Sequence, residues 1–209
     1  DSLGLSGEQA FRVTVNDVDP ISNPGGPYVV PQGVELEFDG SASRAGSAAD
    51  PIASYEWDFD DGSDPQSGAD LSRPRHTFTE HGTYNVTLTV TDEDSSTSQV
   101  VRVQVRDVDP IFDGLDAPEQ TYEIARMRYQ ANVRPGAPGD PITRYEWDFD
   151  GDGDPEHAGA DLNVVEHQFH DAGRYNTIIT VRDGDSLHDE ARAIDVREIT
   201  MLELIQFIS

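Results

Sequence analysis

Tyr84, Val86, Leu88 and Val90 alternate with Asn85, Thr87, Thr89 and Thr91, and Val101, Val103 and Val105 alternate with Arg102, Gln104 and Arg106. A period of two puts one set of side chains on a core and the other in water, so both runs predict β-strands. Their threonine and valine content agrees. Asp92-Glu-Asp-Ser-Ser96 between them reads as a hairpin loop. Tyr55, Trp57 and Phe59 alternate in the same way and predict a central strand. Glycine and proline clusters at 23–27, 61–62 and 134–138 punctuate the strands, and nothing longer than a turn reads as helical. About seven short strands in roughly 90 residues predict an all-β fold, an immunoglobulin-like antiparallel β-sandwich with Greek-key connections.

The pattern occurs twice. Phe11-Arg-Val-Thr-Val-Asn-Asp-Val-Asp-Pro20 returns as Val101-Arg-Val-Gln-Val-Arg-Asp-Val-Asp-Pro110, and Asp50-Pro-Ile-Ala-Ser-Tyr-Glu-Trp-Asp-Phe-Asp60 returns as Asp140-Pro-Ile-Thr-Arg-Tyr-Glu-Trp-Asp-Phe-Asp150, both 90 positions on. His76, Phe78, Gly82, Tyr84 and Asn85 return as His167, Phe169, Gly173, Tyr175 and Asn176, 91 positions on. The second copy therefore carries one extra residue, within Asp150-Gly-Asp-Gly-Asp154. The expected organisation is the tail of a preceding repeat (1–20), repeat 1 (21–109), repeat 2 (110–198) and an apolar start of a next module or assembly segment (199–209). Repeats of this length can each enclose a core.

Charge narrows the function. With 41 acidic residues against 14 arginines and no lysine, the net charge is −27. Such a surface repels phosphate backbones and anionic lipid, so neither nucleic-acid nor membrane binding is expected. It suits hard cations such as calcium, and salty surroundings that screen self-repulsion. The absence of cysteine removes disulfides and thiolate metal sites, and points to a bacterial or archaeal surface protein. No apolar run of about 18 residues is present.

Trp57-Asp-Phe-Asp-Asp-Gly62, His76-Thr-Phe78 and Gly82-Thr-Tyr84-Asn-Val86-Thr-Leu88-Thr-Val90-Thr-Asp92 resemble the polycystic-kidney-disease (PKD) domain family, as do Gly25-Gly-Pro-Tyr28 and Phe38-Asp-Gly-Ser-Ala-Ser43. The second repeat keeps Trp147-Asp148-Phe149, His167, Phe169, Gly173, Tyr175 and Asp183. The family's glycine after the phenylalanine is Asp60 and Asp150 here. The resemblance implies β-sandwich modules that space domains, contact protein or polysaccharide, and in some members bind calcium.

Candidate chemistry is acidic. Asp148, Asp150, Asp152 and Asp154 set carboxylates at every second position with glycines between, an arrangement that can wrap calcium or simply build a tight turn. Asp58 and Asp60 stand in the matching turn of repeat 1. Asp107 and Asp109, like Asp17 and Asp19, flank a repeat junction, where calcium would stiffen an array and its absence would leave a short solvated linker. Trp57 and Trp147 are expected in the core, Tyr84 and Tyr175 at tyrosine corners, and His76 and His167 as packing groups. His167 and His170, placed on one strand at odd spacing, would face opposite ways and could not share a zinc ion. No G-x-S-x-G, H-E-x-x-H, P-loop or G-x-G-x-x-G occurs, so no enzyme is expected. The expected role is a structural or adhesive repeat of a cell-surface or secreted protein, contacting neighbouring repeats and stiffened by calcium. The alternative is an accessory polysaccharide- or protein-binding module of a secreted hydrolase. Residues 199–209 also suggest self-assembly by strand donation.

Overall fold

The computed structural model describes residues 11–13 and 16–200. The expectations for 1–10 and 201–209 lie outside the described residues. In the first repeat the strands are β1 (Tyr28–Pro31), β2 (Glu35–Glu37), β3 (Ser54–Asp58), β4 (Gln66–Gly68), β5 (Arg75–Thr77), β6 (Gly82–Thr91) and β7 (Ser96–Arg106). In the second they are β8 (Ile111–Asp116), β9 (Gln120–Tyr122), β10 (Arg126–Arg134), β11 (Arg144–Asp148), β12 (His157–Gly159), β13 (Val164–Gln168), β14 (Gly173–Arg182) and β15 (Leu187–Arg197). The described residues fall into two compact units, one built from those up to Tyr28 with Leu36–His76 and Tyr84–Val103, the other from Val29–Glu35, Thr77–Thr83 and those from Gln104 onward.

One sheet of the first repeat runs β1-β7-β6-β3-β4, and the other pairs β2 with β5. The second repeat has a sheet in the order β12-β11-β14-β15-β9 and another in the order β13-β10-β8. The registers match: Trp57 faces Leu88 across β3 and β6, and Trp147 faces Ile179 across β11 and β14. Against the expected antiparallel pattern, β9 pairs parallel with β15. Parallel neighbours need a long connection, and nearly the whole repeat lies between these two.

The alternating positions do what their period demands. Val86, Leu88 and Val90 of β6 are buried, as are Val101, Val103 and Val105 of β7. Ile179, Val181, Ile194 and Val196 line the second core in the same way. Both tryptophans are fully buried, and each satisfies its one polar atom: the Trp57 indole N–H donates to the Leu71 carbonyl at 2.9 Å, and that of Trp147 to Leu162 at 2.7 Å. A buried indole without such a partner would forfeit much of what its ring gains by leaving water. Aromatic neighbours tighten each core. Phe38 lies 5.3 Å from Trp57, and Tyr129 lies 4.8 Å from Phe149, ring centre to ring centre. The tyrosine corner forms at Tyr175, whose hydroxyl donates to the Asp171 carbonyl at 3.0 Å.

Candidate functional site

Each tryptophan strand ends in a turn of carboxylates. In the first repeat Asp58 Oδ1 accepts from the Asp60 amide, and Asp60 Oδ2 from the Asn85 amide, both at 3.0 Å. Asp60 has φ 60° and Gly62 φ 81°. A short polar side chain tolerates the left-handed region better than most. In the second repeat the left-handed pair is Gly151, φ 78°, and Gly153, φ 96°. The inserted residue is therefore Asp150, and Gly151 occupies the place of Asp60. A Cβ on Gly151 would stand 3.0 Å from the Asn176 carbonyl oxygen, so glycine suits this position on space as well as on dihedral angle.

Asp148 is buried, and both its oxygens accept backbone N–H groups, from Gly151 at 2.6 Å and Gly153 at 2.9 Å. Asp150 and Asp152 each accept from the amide two residues on, and Glu156 accepts from the Phe149 amide. Asp148, Asp150 and Glu156 bring oxygens within 4.8 Å of one another, and Asp152 and Asp154 stand outside that group. Asp148, Asp150, Asp152 and Glu156 thus hold the backbone of this turn.

A histidine stacks on the phenylalanine of each turn, His76 on Phe59 at 3.9 Å and His167 on Phe149 at 3.8 Å. His76 Nε2 lies 2.6 Å from Asp61 Oδ2. Burial works against the charged form of Asp61, but hydrogen bonds from Ser63 and His76 outweigh it and hold its pKa below the usual range. His167 has histidine neighbours instead. Burial, then the charges of His157 and His170, lower its pKa to about 4. His170 lies beyond the end of β13, not on one strand with His167 as the spacing suggested. The strand stops at Gln168, where the chain turns toward Gly173.

A second acidic constellation was only partly visible in the sequence. Asp140, Asp183 and Asp185 place oxygens within 4.8 Å of one another, and Asp107 and Asp185 do the same together with His81, which belongs to the same compact unit. Asp140 is 8% exposed and Asp183 4% exposed. Asp183 is committed to the β14–β15 hairpin, accepting from the Ser186 amide at 2.7 Å and from its hydroxyl at 2.9 Å. Burial opposes its ionisation, and these bonds with those of Asp185 reverse the effect and lower its pKa. Asp140 and Asp185 move the other way. Burial first raises both; Asp183 and Asp185 then raise Asp140, and Asp107 and Asp183 raise Asp185, against a lowering effect of His81. Oδ2 of Asp140 and Oδ1 of Asp107 are sealed from solvent and have no hydrogen-bond partner. Asp109, expected to work with Asp107, is exposed and joins no such group among the described residues.

The first repeat repeats the arrangement. Asp17, Asp50 and Asp94 place oxygens within 4.8 Å of one another. Asp92, 3% exposed, accepts from the Ser95 amide and hydroxyl through Oδ1, and leaves Oδ2 buried without a partner. Burial and then the charges of Asp17, Asp50, Asp92 and Glu93 raise the pKa of Asp94. Oxygen donors this dense are what hard cations take. The sequence held one signal for them: these four aspartates recur 90 or 91 positions apart.

Two all-β sandwiches, each closed around one tryptophan and joined in tandem, make this a chain of immunoglobulin-like repeats. Solved structures similar to it include the fibronectin(III)-like modules of Clostridium thermocellum CbhA (17% identity, 86% of this chain and 94% of that one, TM-score 0.38). Titin domains z1z2 in complex with telethonin are another (15%, 89% and 100%, 0.41), and extracellular domains 3–5 of Drosophila OTK a third (13%, 85% and 60%, 0.39). The model of the PKD domain family matches residues 17–106 and 107–199, and the chain belongs to that family. It is a tandem of modules of a kind that is typically non-catalytic and extracellular. No helix among the described residues is long and apolar enough to cross a membrane.

Proposed function

We propose that the chain is a structural or adhesive repeat segment of a cell-surface or secreted protein, spacing the parts on either side of it. The observation that carries this reading is the inward placement of its aromatic rings. Trp57, Trp147, Phe59 and Phe149 are fully buried, and Phe11 is the one exposed phenylalanine or tryptophan among the described residues. Polysaccharide-binding modules stack sugars on exposed flat rings, and the described sheet faces offer threonine, arginine and carboxylates instead. The high negative charge keeps such repeats soluble and apart.

Two measurements test it. Protease treatment of intact producing cells should remove the chain from the cell-associated fraction, and full protection would overturn the surface assignment. Co-sedimentation with insoluble polysaccharides should leave the chain in the supernatant. Retention that free oligosaccharide competes away would replace the spacer reading with the accessory-module one.

A further inference from the structure

We propose that the turn at Ile124 in repeat 2 is a docking surface for a second copy of this chain, and that the loop it accepts is Ser47-Ala48 in that copy's repeat 1. This goes beyond the spacer reading and does not depend on it.

The chain already holds one such contact. The compact unit that contains repeat 2 also takes in Val29–Glu35 and Thr77–Thr83 of repeat 1. Within it Gly33 lies against the loop at 137–138: a Cβ on Gly33 would stand 2.6 Å from Pro138 Cδ and 3.4 Å from Ala137 Cβ. Thr79 lies beside Gly139, and the Gln32 side-chain amide donates to the Thr79 carbonyl at 2.7 Å, tying the two turns of repeat 1 together. Ala137 is 4% exposed.

Both halves of this contact recur in the chain, and there they face solvent. The turn at Gly33 is copied at Ile124. The amides of Gln32, Gly33 and Val34 donate to the carbonyls of Arg106, Phe78 and Pro31, and those of Glu123, Ile124 and Ala125 to Arg197, Phe169 and Tyr122, each residue 91 positions on. Both middle residues are left-handed, Gly33 with φ 71° and Ile124 with φ 62°. The loop at 137–138 is copied 90 positions earlier at Ser47 and Ala48. Ile124 is 50% exposed, and Ser47 is exposed where Ala137 is buried.

Strain and size select the occupant. A β-branched residue in the left-handed region is strained, and such strain collects at functional positions. Ile124 bears it while holding an apolar side chain in water, at the point where Gly33 meets its neighbour. Size then separates the two loops. Gly33 leaves room for Pro138, and the 2.6 Å separation shows that any larger residue there would collide with the proline. Ile124 therefore does not suit a loop like that of repeat 2. Repeat 1 has Ala48 in the place of Pro138. Glycine against proline and isoleucine against alanine fill one gap in two complementary ways. The two surfaces differ from each other, so the contact is heterologous and adds copies in series. The net charge of −27 opposes it, so screening by salt favours it.

The test is sedimentation velocity of the whole chain over a range of concentrations, at about 0.05 M and about 1 M sodium chloride, the higher salt shortening the screening length to roughly 3 Å. Reversible association should appear and strengthen with salt. Ile124→Asp should weaken it by about tenfold or more in Kd. Ile124→Gly should weaken it too, while raising the Tm in dilute solution by relieving the left-handed strain. A merely structural role for Ile124 would leave association unchanged in both variants. Ala48→Pro should weaken association by collision with Ile124. Ile124→Gly with Ala48→Pro in one chain should restore it, because the pair rebuilds the fit of Gly33 with Pro138. A chain that stays monomeric at both salts, an Ile124→Asp variant that associates like the parent, or a double variant no better than its singles would each overturn the proposal. So would loss of association on deleting residues 201–209 while Ile124→Asp leaves it intact, which would assign it to a donated strand.

Discussion

The two repeats place the same histidine on the same phenylalanine and then surround it differently. His76 faces Asp61, whereas His167 faces His157 and His170. The cores differ in parallel: Phe38 of the first repeat, which packs on Trp57 and Phe59, is answered in the second by Tyr129, which packs on Trp147 and Phe149. What survives in both copies is the buried indole, the ring stack and four aspartates at equivalent positions, Asp17, Asp50, Asp92 and Asp94 in one and Asp107, Asp140, Asp183 and Asp185 in the other. The shared set marks what the sandwich needs, and the divergent set marks what each copy can vary at a cost in stability or acid tolerance.

The largest effect should come from the shared core. Trp57→Ala and Trp147→Ala should each cost about 3–5 kcal/mol, because each removes a fully buried ring and leaves a cavity. Denaturant melts followed by circular dichroism measure this, and a loss below about 1 kcal/mol would show that the indole does not anchor its repeat.

The two ring stacks should respond to acid in different pH ranges. His167 titrates near pH 4 when folded and near 6.5 when unfolded, so the unfolded chain binds the extra proton between those values. Stability should therefore fall as pH drops from 6.5 toward 4, by about 1–2 kcal/mol once solvent screening is allowed for. Asp61 has the same sign at lower pH: its depressed pKa adds stability that is fully present above 3.8 and is lost as pH falls through the lower folded value. Denaturation across pH 7 to 4 should show a shallower slope for His167→Phe than for the unsubstituted chain. Parallel slopes would remove His167 from the acid response.

Tyr129 carries a buried hydroxyl with no partner, and burial pushes its pKa up to about 12. Tyr129→Phe copies Phe38 and should leave stability unchanged or raise it by about 1 kcal/mol. A loss of that size would mean that the hydroxyl has a partner after all. The smallest effect is expected at the surface. Arg75 pairs with Glu37 at 3.0 Å with both side chains about half exposed, and Arg75→Ala should cost less than about 1 kcal/mol.

The fold was legible because its signals are local. Alternation along 84–91 and 101–106 names the strands, and a tryptophan between alternating aromatics names the core. The carboxylate turn was legible as a turn, but not the place of its extra residue. Sequence alignment set Asp150 opposite Asp60, and only the left-handed backbone of Gly151 shows the true correspondence. The meeting of Asp107 with Asp185, and of Asp140 with Asp183 and Asp185, was hidden for a topological reason. Asp107, Asp140 and the Asp183–Asp185 hairpin come from three segments more than thirty residues apart, joined only when the strands close. Read along the chain, Asp107 seemed a partner of Asp109, and Asp183 and Asp185 seemed ordinary loop residues.

The outer strands of both five-stranded sheets are stubs. β1 has four residues, and β4, β9 and β12 have three each, beside interior strands of up to eleven. Tethered domains of similar sequence meet at high local concentration, where a long unpaired edge would capture a neighbour's strand. With so few free amides and carbonyls on offer, a nascent copy finds little to zip onto outside itself. Stub edges thus let such modules be strung in series without the cross-pairing that turns repeated β-sequences into tangles or fibres.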